Sequence, residues 1–197
     1  MELPRIVQTG DPVLRARAIE VPPDRIPTPE FQALLQIMIA TMRAAPGVGL
    51  AAPQLGIPWR VIVLEDRAEL LEGMSEEERA EKGRESFDTR VFVNPVLKLL
   101  GKKKETFFEG CLSVSGFTAL VERRFEVEVG GLDAQGNRSK WRVSGWPARI
   151  LQHEVDHLNG MLYLDRMKTR SFASLVQARA HYAGASIEGV EKLLGIE

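Results

Sequence analysis

Two histidines set four residues apart, His153 and His157 in the run QHEVDH (152–157), constrain the fold more than any other feature of the chain. On a helix they project from one face about one turn apart and can grip a single ion. Glu154 sits beside them. A HExxH helix of this kind supplies two neutral nitrogen ligands and a carboxylate free to handle protons, the arrangement by which a bound water becomes a nucleophile near neutral pH. The alternative is an amphipathic helix whose histidines merely pack or face solvent. The chain has only three histidines and one cysteine, so the concentration of two in one motif carries weight.

A third ligand is needed, and the downstream sequence does not offer one. Zinc peptidases with this helix take a glutamate from a later helix or a histidine from an extended HExxHxxGxxH motif. From Leu158 to Ile187 there is no glutamate, and LNGMLYLD after His157 lacks the third histidine. The remaining option is upstream, at Cys111 in EGCLS (109–113). A thiolate with two imidazoles suits zinc or iron(II) and leaves a fourth position for water. A lone cysteine can equally be a small buried hydrophobe.

Three segments in order, GVGLAAPQ (47–54), EGCLS (109–113) and QHEVDHLNG (152–160), together with VFVNPVL (91–97) and SGWPARILQHE (144–154), give the chain a likeness that runs from about Ile6 to about Lys168. It resembles the peptide deformylases, and GVGLAAPQ and Trp146 bring it closer to the subgroup that also occurs in organelles. The resemblance implies an enzyme that hydrolyses the formyl amide on the N-terminal methionine of new polypeptides and releases formate. It implies metal ligation by Cys111, His153 and His157, with Glu154 as proton acceptor and then donor. The Gln54 side-chain amide and the Leu112 N–H would receive the charge that develops on the carbonyl oxygen. It implies one divalent ion, iron(II) first, with zinc, nickel or cobalt able to substitute. Ser115 and Thr118 depart from the family, which most often has proline or an acid at the first and commonly arginine at the second. Those departures bear on peptide contacts beyond methionine, not on the chemistry.

Gly47 and Gly49 allow close backbone approach, so GVGLAAPQ could lie along an extended peptide as an added strand, with Gly47 ending the preceding helix. Gly110 would stand on the opposite wall of the cleft. Trp146 and Ile150 continue the ligand-bearing face of the helix at its own spacing, and Val48 and Phe107 would close an apolar slot for methionine if the family pattern holds. For these four residues, simple core packing is the competing reading.

The remainder of the sequence fits an α+β fold: one domain over 1–197, with antiparallel sheets packed around the metal helix, an N-terminal helix and a C-terminal one. Residues 28–44 read as a helix with Thr28 as N-cap, Pro29 in the first turn, and Phe31, Leu34, Leu35, Met38 and Met42 as an apolar stripe. Strands are expected at 59–65, 91–99, 104–109, 118–130 and 138–143, the last two joined by a turn at DAQGN. Residues 66–90 read as a solvated insertion, partly helical through SEEERAEK and without a function. SFASLVQARAHYAGA reads as a further amphipathic helix, with His181 on its surface.

Twenty-six basic and 27 acidic residues give a formal net charge of −1, which argues against general attraction to nucleic acid or anionic lipid. No apolar run approaches membrane-spanning length, and MELPRIVQTGDP has neither a signal peptide's apolar stretch nor a transit peptide's arginine and serine bias. A single cysteine precludes an internal disulfide and suits a reducing compartment. The cytoplasm is therefore expected, or an organelle if a transit peptide has been trimmed away. The expected partners are formyl-methionyl peptides and nascent chains. Transient ribosome contact would involve Arg166, Lys168 and Arg170.

Overall fold

The structure is a computed structural model that describes residues 3–196. Helix α1 (Pro29–Ala44) begins where its sequence dictates: the Thr28 hydroxyl accepts the Phe31 N–H, and Pro29 occupies the first turn. Phe31, Leu35, Met38 and Met42 are buried, and Leu34 packs at the edge of the same cluster. The helix ends at Ala44, before Gly47. Gly47 instead closes the exit by donating its N–H to the Met42 carbonyl at 2.9 Å.

Strand β1 (Gly49–Ala51) pairs antiparallel with β2 (Val61–Asp66). Every residue of β2 is buried because side chains alternate across a sheet covered on both faces. Val61 and Val63 enter the cluster under α1, while Ile62 and Leu64 enter the cluster around the ligand-bearing helix. Each such side chain contributes roughly 1.5–3 kcal/mol on burial.

The long strands β3 (Phe87–Cys111) and β4 (Val114–Leu132) form the spine, and β5 (Arg138–Ser144) follows at the expected DAQGN turn. There the Asp133 carboxylate accepts N–H groups from Gln135 and Asn137 at 2.9 and 2.8 Å. Spatial order follows chain order from β1 to β5, and all neighbours are antiparallel. The two expected strands at 91–99 and 104–109 are one. The polar GKKK run is accommodated by a register irregularity between Leu100 and Lys104, with Gly101 at φ 59. A second irregularity falls at Asn94, φ 52, whose side chain bonds the N–H and carbonyl of Val21 at 2.8 and 2.9 Å.

Residues 66–90 are less detached than their charge suggests. Helix α2 (Glu76–Lys82) forms within SEEERAEK, capped reciprocally by Ser75 and Glu78. Asp66, however, is fully buried and accepts two bonds from Arg84 at 2.7 and 2.9 Å, and Phe87 to Arg90 already belong to β3. The insertion is thus anchored at both ends.

Helix α3 (Trp146–Leu158) lies across β1 to β5. Ala148, Leu151, Val155 and Leu158 face Ile62, Leu64, Phe92, Val127 and Val129, which fixes the rotation of the helix and so the direction in which its histidines point. After it, the expected C-terminal helix is shorter and preceded by strand β6 (Ala173–Ser174), which pairs with Phe117 and Thr118 of β4. Helix α4 (Leu175–Tyr182) buries none of its residues, so the amphipathic helix expected there has no buried face. His181 is exposed, as expected. A further helix, α5 (Ile187–Leu194), buries Val190.

Candidate metal centre and active site

Cys111 ends β3, and His153 and His157 stand on consecutive turns of α3. Their candidate ligand atoms all lie within 4.8 Å of one another, and the Cys111 Sγ lies 3.2 Å from the His157 Nε2. With metal–sulfur distances near 2.3 Å and metal–nitrogen distances of about 2.0–2.1 Å, such a trio fits a single ion. Burial holds His157 well below its ordinary pKa, and the charges of His153 and Arg123 act in the same direction, so its ring stays neutral as ligation requires.

Behind the trio stands a residue whose role the sequence did not expose. The Glu109 carboxylate lies 3.0 Å from His153 Nδ1, which leaves Nε2 for an ion. The same carboxylate accepts two bonds from Arg123, both at 2.9 Å, and one from Arg149 at 2.6 Å. Burial alone would raise its pKa, but the bonds from His153 and Arg123 hold it well below the usual carboxylate range. Arg123 also pairs with Asp156, which Arg166 grips at 2.6 and 2.8 Å. The histidine orientation is therefore set by a buried network of alternating charge.

Glu154 is the opposite case. It is 4% exposed, its Oε2 has no hydrogen-bond partner among the described residues, and burial pushes its pKa up to about 7 although the His153 charge pulls it down. A buried carboxylate oxygen is costly unless something meets it. Beside three convergent ligands, the group that fits is a metal-coordinated water, and this orphan favours an ion at the site. Gln54 is equally buried but oriented by its partners: Oε1 accepts the Ala51 N–H at 2.9 Å, while Nε2 points to Ser113 Oγ at 3.2 Å and Cys111 Sγ at 3.6 Å. Its amide donor thus faces the ligand trio.

These groups open on a cleft of about 490 Å³ whose lining includes Val48, Gly49, Gly110, Leu112, Trp146 and Ile150. Phe107 is a correction. It is buried off the cleft, under the Arg149 guanidinium at 5.2 Å, and Phe108 lines the cleft in its place. Side chains alternate along β3, so adjacent phenylalanines face opposite ways. Trp146 is braced by Arg84, which also lines the cleft and whose guanidinium lies 5.0 Å from its ring centre. Thr118 is buried and donates to the Glu109 carbonyl at 2.8 Å, so its hydroxyl is engaged inside the fold; Ser115 lines the cleft.

A Cβ added at Gly49 would lie 2.3 Å from Glu154 Oε1. Gly49→Ala is therefore expected to displace that carboxylate, which a crystal structure of the variant would show.

The family model described as polypeptide deformylase matches residues 3–173. The chain is 54% identical over 175 residues to "Peptide deformylase 1A, chloroplastic/mitochondrial" of Arabidopsis thaliana, covering 89% of this chain and 65% of that protein. It is 50% identical over 173 residues to the chloroplastic peptide deformylase 1A of Solanum lycopersicum, covering 88% of this chain and 62% of that one. The chain thus spans less than two thirds of the length of either relative. Among solved structures, the Met-Ala-Ser-bound class I type b peptide deformylase of Acinetobacter baumannii superposes with a TM-score of 0.75 at 33% identity, covering 84% of this chain and 99% of that one. A match of that extent, carried by segments that the fold brings together around one site, makes this chain a member of the polypeptide deformylase family.

Proposed function

We propose that this chain hydrolyses the formyl amide of N-formylmethionyl peptides and nascent chains, releasing formate, with Cys111, His153 and His157 holding one divalent ion. The observation that carries the reading is the buried, unpartnered Glu154 Oε2 beside that ligand trio. When bound, the ion supplies Lewis acidity and lowers the pKa of coordinated water. Iron(II) is the metal proposed, since thiolate and imidazole donors suit it, and zinc, nickel or cobalt can substitute.

Glu154 accepts a proton at Oε2 as water adds to the formyl carbon, then returns it to the departing amine, one carboxylate serving as base and acid in turn. Gln54 Nε2 and the Leu112 N–H donate to the carbonyl oxygen as it gains charge. Val48, Trp146 and Ile150 form the slot for the methionine side chain, with Phe108 beside it and Gly49 and Gly110 flanking the peptide backbone. A similar protein has been solved with the methionine-headed peptide Met-Ala-Ser bound.

Gln54→Ala is expected to lower kcat by about 10²–10³-fold. It also leaves the buried Ala51 N–H without its acceptor, at a stability cost of about 1–3 kcal/mol. Kinetics and denaturant unfolding on one preparation separate the two effects. The reading itself is tested by formate release from a formyl-Met peptide with metal-loaded protein. Release supports it; cleavage of internal peptide bonds in unformylated peptides would mark an endopeptidase, and no turnover at full metal loading would mark a peptide-binding module.

Action in the cytoplasm or an organelle belongs to the same proposal, because formyl-methionine arises where translation starts with it. The described residues contain no helix long and apolar enough to cross a membrane. Ribosome contact through the 166–170 segment rests chiefly on Arg170, since Arg166 is tied to Asp156 and Lys168 to Glu191 at 2.6 Å.

A further inference from the structure

Three consecutive residues near the start of the described chain lace together two segments of the site. Val7 donates its N–H to the Gln54 carbonyl at 2.8 Å, and Thr9 donates to the Ser113 carbonyl at 2.7 Å. Between them the exposed Gln8 reaches across with its side chain. Its Nε2 donates to the Leu112 carbonyl at 2.9 Å, and its Oε1 accepts the Ser115 N–H at 3.3 Å. A further bond from Nε2 to the Ile6 carbonyl at 3.2 Å fixes which way the amide faces.

Leu112 and Ser113 are the whole turn between β3 and β4, immediately after Cys111. The two donors assigned to the carbonyl oxygen, Gln54 Nε2 and Leu112 N–H, therefore come from separate segments, which meet directly through Gln54 Nε2 and Ser113 Oγ at 3.2 Å. Donors of this kind accelerate a reaction only if their geometry is fixed beforehand. On its inner side the turn is held by Leu112 packed at the edge of the α1 cluster and by the buried Ser113, and segment 7–9 supplies the hydrogen bonds to its carbonyls from the outer side.

We propose that residues 7–9 staple the Gln54 segment to the Leu112–Ser113 turn, with Gln8 as the positioning residue that holds the Leu112 donor in register; the inference rests on the activity proposed above. Gln8 is exposed, so its substitution leaves the core intact. Its effect falls on turnover.

Two variants separate the arms of the amide. Gln8→Glu keeps the acceptor for the Ser115 N–H and sets an anionic oxygen against the Leu112 carbonyl. Gln8→Lys keeps a donor for that carbonyl and loses the acceptor. With metal-loaded enzyme and formyl-Met-Ala-Ser as substrate, Gln8→Glu is expected to lower kcat about tenfold with KM within about twofold, because a shift well under 1 Å suffices for such a loss. Gln8→Lys should stay within about threefold of wild type, the conservative rescue of the donor arm. Metal content and melting temperature should match wild type in both. Hydrogen–deuterium exchange at amides 112–115 should quicken in Gln8→Glu, with α3 unchanged. Unchanged kcat in an active enzyme, unchanged exchange at the turn, or a kcat loss explained by lost metal would each overturn the staple. Failure of metal-loaded wild type to release formate would instead overturn the activity, and exchange would still decide the staple.

Discussion

Replacing Glu154 with glutamine is expected to lower kcat by about 10²–10⁴-fold while the protein still binds its metal. The side chain is not a ligand candidate, keeps nearly its own volume in the variant, and loses only the ability to take a proton. Stability should move the other way. Burial lifts the native carboxyl from an ordinary 4.5 to about 7. A carboxyl whose pKa is higher folded than unfolded makes the fold less stable as pH rises from about 4.5 to 7, and the variant escapes that loss. Metal-free Glu154→Gln should therefore be at least as stable as metal-free wild type at pH 8. In the wild type, kcat/KM should rise with pH as Glu154 ionises and then level off. A bound dication favours the carboxylate, so this limb should lie at or below about pH 7. Rate profiles of the two proteins check this: a variant that keeps wild-type turnover would remove Glu154 from the chemistry.

Glu109→Gln should damage the fold as well as the site. The amide fills the same space but leaves Arg123 and Arg149, both buried, without their shared anion. Breaking a buried pair from one side costs about 3–5 kcal/mol. His153 also loses the carboxylate that orients its ring, and a loss of that kind weakens metal binding by about 10–100-fold. The native Glu109 pKa lies well below 4.5, so its contribution is complete above about pH 4.5 and disappears only as pH falls through the native value. The variant should thus differ from wild type across the whole neutral range. Denaturant unfolding and competition with a chelator measure the two losses, and a variant within 1 kcal/mol of wild type would show that the network does not carry this load.

The contrast between these two glutamates shows what the sequence makes legible. Glu154 could be read directly, because its role follows from one helix's periodicity and the spacing of its neighbours. Glu109 could not, since its meaning lies in Arg123 and Arg149, which are brought to it by strand pairing and by α3 packing. The same limit explains Phe107. Two adjacent aromatics in a strand are equivalent until the register is known, and the pairing of Phe107 with Val121 and of Phe108 with Leu120 sends them to opposite faces. GKKK looked like a break in a strand because glycine and three lysines carry no apolar alternation, yet backbone pairing continues on either side of the irregularity. Asp66 and Arg84 were hidden in a run of charge in which no local pattern marks the one buried pair. Helix α1, with its cap and stripe written in adjacent residues, needed no such long-range information. Nor did β2, which its unbroken run of β-branched and apolar residues marks as a strand.

X-ray absorption at the edge of the bound metal tests the central claim most directly. Fully loaded protein should show one sulfur scatterer near 2.3 Å and two imidazole nitrogens at about 2.0–2.1 Å, with a light-atom scatterer in the remaining position. The sulfur shell should vanish in Cys111→Ser. A first shell of nitrogen and oxygen alone in the wild type, or a spectrum unchanged by that substitution, would contradict the account.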